Sequence, residues 1–193
     1  MNILVDALPH DVEIDGVRHA IDPGFRAMVR FELMMQDNTL SDESKIIHGL
    51  CAFYVDRVPD NVERAVERLI WFYRCGGQEA GSTKQTGRAA MRAYSFEHDA
   101  DMIYAAFFDQ YGIDLQQADL HWWQFKAMFR ALRNDNEFVK IMGYRSMDIP
   151  DGMSREQKEF YRKMKELHKL PYSRAEQERL RELERILMGD GKL

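Results

Sequence analysis

Residues 76–90 read "GGQEAGSTKQTGRAA", with four glycines and no apolar side chain larger than alanine. Such a run cannot bury enough apolar surface to offset the conformational entropy lost on ordering it. It therefore reads as a flexible linker or exposed loop, and it divides the chain into an N-terminal hairpin-plus-helices unit and a C-terminal helical part.

In the N-terminal unit, "VEIDGVRHAI" (12–21) alternates apolar and polar residues around Asp15-Gly16. Asp-Gly suits a tight hairpin turn, because both central residues tolerate positive φ. Val12 and Ile14 then share one face, which must pack on something because an isolated hairpin is marginal in water. Three segments with helical spacing follow. "DPGFRAMVRFELMMQ" (22–36) offers Asp22 as cap and Pro23 in the first turn. "SDESKIIHGLCAFYV" (41–55) starts at Ser41 with Asp42 and Glu43 near the positive end of the helix dipole, and its apolar stripe is Ile46, Ile47, Leu50 and Tyr54. "PDNVERAVERLIWFYRCGG" (59–77) carries Val62, Val66, Leu69 and Ile70 and stops at Gly76-Gly77.

After the linker, a helix begins within "YSFEHDAD" (94–101) and runs to Tyr111-Gly112. "IDLQQADLHWWQFKAMFRALRND" (113–135) has a wide apolar face, as a helix between neighbours does. A short helix over 136–145 ends at Gly143. Helices over 154–171 and 173–191 each open with a capping-box pattern, Ser154 with Gln157 and Ser173 with Glu176, and Pro171 separates them. The fold class is mainly α, a multi-helix fold with a short N-terminal β-hairpin, in two parts joined by a flexible linker. The expected units are 1–75 (hairpin plus helices), 76–90 (linker), 91–150 (helical core part) and 151–193 (charged C-terminal helical hairpin).

Charge and cysteine usage narrow the function. The net charge of −5 does not favour non-specific nucleic-acid binding. Residues 154–193 hold 11 basic and 8 acidic side chains, closely mixed, which reads as a solvated helix face rather than a phosphate track. Cys51 and Cys75 lack metal-ribbon spacing and form no disulfide scaffold. No stretch reaches the roughly 18 apolar residues a membrane helix needs, and the first residues lack signal-peptide character, so a reducing cytoplasm is expected. No phosphate-binding glycine loop or nucleophile-elbow pattern occurs.

Two clusters invite a functional reading. "EHDAD" (97–101) packs His98, Asp99 and Asp101 beside Glu97. A metal site would need ligands from His48, His121 or His168, none in an HxxxH or HExxH arrangement, and on a helix His98 and Asp99 point about 100° apart. A helix start needs less: Ser95 as cap, with acids in the first turns. "HWWQF" (121–125) is the densest aromatic stretch; its readings, in order, are core, protein interface and nucleic-acid platform. The twelve methionines fill irregular cores and also suit adaptable binding surfaces. No catalytic residue, metal ligand or cofactor site is expected from these patterns.

"YSFEHDADMIYAAFFDQYGIDL", "LHWWQFKAMFRAL", "FVKIMGYRSMDI" and "KEFYRKMK", with the opening "LPHDVEIDGVRHAIDPGFR", resemble the bacteriophage gene-product-fifteen family. The resemblance spans nearly the whole chain and is weakest in the linker, which has only Lys84 and Arg88 where the family's linkers are often lysine-rich. The family pattern falls on Tyr94, Phe96, Asp99, Ile103 and Phe107, then Trp122, Trp123 and Phe125, then Arg145. The resemblance implies a gene of long-tailed phages and prophages of Gram-positive bacteria, between the major tail protein and the tape measure protein. It implies a non-enzymatic tail assembly chaperone that shields the tape measure protein during tube assembly. The major tail protein and a second tail chaperone are further implied partners. Self-association is compatible with the role. The expected location is the host cytoplasm, outside the mature virion. Partner-binding candidates are Trp122, Trp123, Phe125, Phe129 and Arg145. The alternatives are a structural protein retained in the tail, and a metal-dependent cytosolic enzyme using His98 and Asp99.

Overall fold

A computed structural model describes residues 1–77 and 93–171, together with Arg181 and Arg185. Most of the linker and the helix expected over 173–191 lie outside the described residues. Those described form a two-stranded hairpin, β1 (Asp11–Ile14) and β2 (Val17–Ala20), and seven helices: α1 (Phe25–Gln36), α2 (Asp42–Phe53), α3 (Val62–Tyr73), α4 (Ala100–Tyr111), α5 (Trp122–Arg130), α6 (Glu137–Ser146) and α7 (Arg155–Leu167). The mainly α class with an N-terminal hairpin is therefore the observed architecture.

The hairpin pairs Val12 with His19 and Ile14 with Val17, and its turn residues Asp15 and Gly16 both have positive φ, 50° and 79°. A two-residue turn of that kind matches the right-handed twist of the strands. Val12 and Ile14 share the buried face, each 4% exposed. Beneath that face lies α3, whose Arg68 Nε donates to Glu13 O at 3.1 Å, while Asn61 Nδ2 at the head of α3 donates to Asp15 Oδ2 at 2.8 Å.

Several helix details differ from the sequence reading. Asp22 closes a turn by accepting from Gly24 N at 2.9 Å and does not cap α1, whose first residue is Phe25. In α2 the buried face is Lys45, Gly49, Leu50 and Phe53, and Ile46 and Ile47 face solvent. Lys45 can be buried because its Nζ donates to Met35 O at 3.0 Å. Ser95 does not cap α4. It accepts from Glu97 N and His98 N and so closes a turn before the helix, whose first residue is Ala100. Gly143 lies inside α6, which runs to Ser146. Ser41 and Ser154 do cap α2 and α7, the latter with Gln157 in a reciprocal capping box.

One core cluster holds residues from both sides of the linker, from Val12 to Phe138. A short antiparallel bridge joins the two sides: Phe25 N donates to Leu120 O at 2.9 Å and Trp122 N to Pro23 O at 2.7 Å. Arg26 reinforces it by donating to the carbonyls of Leu115, Gln116 and Ala118. At the centre, Phe125 stacks on Phe25 (5.0 Å), Phe107 (4.9 Å) and Trp122 (5.7 Å).

Candidate functional site

Asp99 and Arg145, 46 positions apart, meet as a buried pair with side-chain exposures of 1% and 7%. The two guanidinium nitrogens Nη1 and Nη2 reach Oδ2 and Oδ1 at 2.6 and 2.9 Å, the fork geometry that makes arginine–carboxylate pairs strong. Asp99 Oδ2 also accepts from Ser95 N at 2.8 Å. Arg145 donates further, from Nη1 to Ala93 O at 3.2 Å and from Nε to His168 O at 2.5 Å. One side chain on α6 thus ties the start of α4, the chain entering it and the end of α7. Neither charge could stay buried without the other.

The five residues singled out as a partner surface lie in the interior. Trp122, Trp123, Phe125, Phe129 and Arg145 are 0%, 5%, 1%, 7% and 6% exposed, so a partner could reach them only if the fold opened. The two tryptophans are held by polar atoms as well as by packing. Trp122 Nε1 donates to Tyr73 O and Trp123 Nε1 to Phe72 O, both at 2.8 Å, so α5 is bolted onto the end of α3. The physical reason for burial is the amphipathic ring: a large apolar body with one donor that finds a carbonyl.

Of the residues named for the metal-enzyme alternative, Asp99 and His121 are engaged in structural contacts and His98 faces solvent. Asp99 is committed to Arg145 and Ser95. His98 is half-exposed beside Glu97 at 3.8 Å. His121 is the N-cap of α5: its Nδ1 accepts from Trp123 N at 3.0 Å and its Nε2 meets Pro9 O at 3.1 Å. With Nδ1 an acceptor, Nε2 must carry the proton that goes to Pro9 O. Burial holds the His121 imidazole below its ordinary pKa, partly opposed by the Pro9 hydrogen bond, and the neighbouring His10 charge lowers it further. Among the described residues no group of three or more His, Cys, Asp or Glu could hold a metal ion. The capping role of His121 escaped the sequence reading, although Gln124 three positions on was the available signal, since its side chain completes the capping box.

Other titratable groups gather near the aromatic stack. Lys126 lies over the Trp122, Tyr94 and Phe129 rings at 5.1, 5.9 and 6.0 Å, and burial lowers its pKa. Tyr73 donates to Glu32 Oε2 at 2.6 Å, and burial together with that bond raises its phenol well above the usual range. Burial pushes Tyr94 up to about 12. Both phenols therefore stay neutral near neutral pH.

Several large apolar side chains stand exposed among the charged residues of the surface. Leu4 and Val5 are 90% and 79% exposed, Ile47 59%, Phe160 49% and Leu167 67%. On α7 no residue is buried. Among the described residues no helix is long and apolar enough to cross a membrane.

Comparison with curated proteins and with solved structures found no match. The family model described as Bacteriophage Gp15 protein matches residues 4–170. That span includes the bridge, the tryptophan anchors and the Asp99–Arg145 pair, so the chain belongs to the bacteriophage Gp15 protein family, which suggests a phage structural or assembly protein.

Proposed function

We propose that this protein is a non-enzymatic tail assembly chaperone, which binds the tape measure protein and shields it while the tail tube assembles. One observation carries the reading: its buried polar groups serve the fold, while large apolar side chains are left facing solvent. Among the described residues every buried side-chain nitrogen and oxygen has a hydrogen-bond partner, and Asp99 and His121 are bonded as a tie and a cap. A holdase needs no reacting group. It needs exposed apolar surface able to meet the apolar stripe of a long helical client, which would aggregate if left bare. Family membership supports a role in assembly.

The action belongs in the host cytoplasm, with displacement before the particle matures. Co-expression with the tape measure protein of the same phage tests it. The client's soluble fraction should rise and the two should co-purify; failure to associate at low salt would remove the proposal. The same family match is also compatible with a protein kept in the tail. Mass spectrometry of purified particles separates the two readings, since a chaperone is expected there at most in sub-stoichiometric amounts.

A further inference from the structure

We infer that the outward face of α4 around Tyr104 and Phe108 takes an arginine side chain presented by another protein. Asp101, Tyr104 and Phe108 follow one another at intervals of three and four, so they share one side of the helix. The core lies on the other side, which α4 meets through Ile103, Ala106 and Phe107. Phe108 is 55% exposed. Its ring runs nearly parallel to that of Tyr104, at 11° with centroids 6.4 Å apart. Parallel rings that far apart are an offset stack, so Tyr104 leaves much of Phe108 uncovered. Tyr104 is itself fixed. Its hydroxyl donates to Asp114 Oδ1 at 3.0 Å, and Asp114 accepts in turn from Gln116 N at 2.8 Å and Gln117 Nε2 at 3.0 Å. The aromatic shelf is therefore set before a ligand arrives, which lowers the ordering cost of binding.

Charge selects the occupant. Asp101, one turn before Tyr104, is exposed and has no ion-pair partner among the described residues. Asp114 places a second carboxylate at the Tyr104 hydroxyl. Glu97, just before the helix, is a third, with His98 beside it at 3.8 Å. The cations on the elements around α4 are already engaged. Arg133 pairs with Asp109 at 3.2 Å and Asp135 at 3.5 Å, Lys140 of α6 with Glu137 at 3.9 Å, and Arg145 with Asp99. Arg26 donates to the carbonyls of Leu115, Gln116 and Ala118. Lys126 and Arg130 of α5 gather instead beside Tyr94 and Cys75. An open aromatic face attracts a cation through its quadrupole. Arginine suits it best, because a planar guanidinium stacks on the ring while its N–H groups reach a carboxylate. The net charge of −5 adds long-range attraction for a basic segment.

The peptide acetyl-Ala-Arg-Ala-amide, titrated into the full chain and followed by amide NMR, tests the site without an identified partner. The amides of Tyr104, Ala105 and Phe108 should shift together and saturate. The same peptide with citrulline, the neutral isostere of arginine, should bind about fivefold more weakly or worse. The arginine peptide should weaken by a similar factor on Phe108→Ala and on Asp101→Asn. Both variants change exposed side chains, so their melting points should stay near that of the wild type. Absence of shifts at these amides, equal binding of the arginine and citrulline peptides, or undiminished binding by either variant would overturn the assignment. The site stands apart from the chaperone reading. Under that reading the arginine belongs to the tape measure protein, and Phe108→p-benzoylphenylalanine should cross-link to it on irradiation when the two are co-expressed. Cross-links confined to this chain's own sequence, within one copy or between two, would overturn a foreign partner. Capture without a cross-link at this position would overturn the tape measure protein as the source of the arginine. If wild type captures no tape measure protein, the chaperone reading falls, while the peptide titration still decides the α4 site.

Discussion

Replacing Asp99 by alanine tests the physical core of the account. The carboxylate accepts three hydrogen bonds, from Ser95 N at 2.8 Å and from Arg145 at 2.6 and 2.9 Å. Its loss leaves a guanidinium that is 7% exposed with only the carbonyls of Ala93 and His168 to satisfy it. Removing one partner of a buried ion pair costs about 3–5 kcal/mol, because the remaining charge is uncompensated. In a domain of this size each kcal/mol moves Tm by about 2–4 °C, so the melting point should fall by about 6–20 °C. Urea unfolding followed by tryptophan fluorescence reads the change, since Trp122 and Trp123 are both buried. Arg145→Met alone should be comparably harmful. The double variant Asp99→Leu with Arg145→Met should be less destabilised than the sum of the singles by about 2 kcal/mol or more, because it buries no unpaired charge. Additive losses, or a loss below about 1 kcal/mol for Asp99→Ala, would refute the reasoning.

Three further outcomes follow from single contacts. His121 has a lowered pKa in the fold, so the unfolded chain takes up the proton first; stability should be full above about pH 6.5 and fall as the pH drops from there toward the folded value, as read by thermal melts between pH 8 and 5. His121→Asn, which keeps a cap acceptor but does not titrate, should flatten that slope, and an unchanged slope would assign it to other groups. Gly76→Ala should destabilise by about 1 kcal/mol more than Gly112→Ala: both glycines have positive φ, but only at Gly76 would a Cβ lie 2.9 Å from the Trp123 ring. Equal melting points for the two variants would remove the clash as a cause. Trp122→Phe, which leaves Tyr73 O only the long Cys75 Sγ contact at 4.0 Å, should lose about 1–3 kcal/mol, and Trp122→Ala about 3–5 kcal/mol, in the same urea titration.

How far the sequence could be read depended on whether the signal was local. The Asp15-Gly16 turn, the Ser41 and Ser154 caps and the Gly112 stop are each decided within a few residues, and each stands where it was expected. The face of α2 was not decidable that way. Leu50 and Tyr54 of the expected stripe are buried but Ile46 and Ile47 are not, because α1 and α3 cover the side that carries Lys45, Gly49, Leu50 and Phe53. The "EHDAD" stretch misled for a related reason. Asp99 resembles a ligand or a first-turn acid until Arg145, 46 residues away, is brought to it by the packing of α6 on α4. The aromatic stretch at 121–125 lies between extremes: its core reading follows from composition, but the donor bonds from both tryptophans to the end of α3 do not. The stripe Phe160, Met164 and Leu167 on α7 was legible in the spacing; that Phe160 meets the Tyr144 ring of α6 at 6.4 Å was not.

The most direct measurement of the central claim is the light scattering of the same phage's tape measure protein as it is diluted out of denaturant. At equimolar full chain, scattering should be suppressed and a soluble complex should form. Scattering that rises equally with and without the wild-type chain would contradict the account.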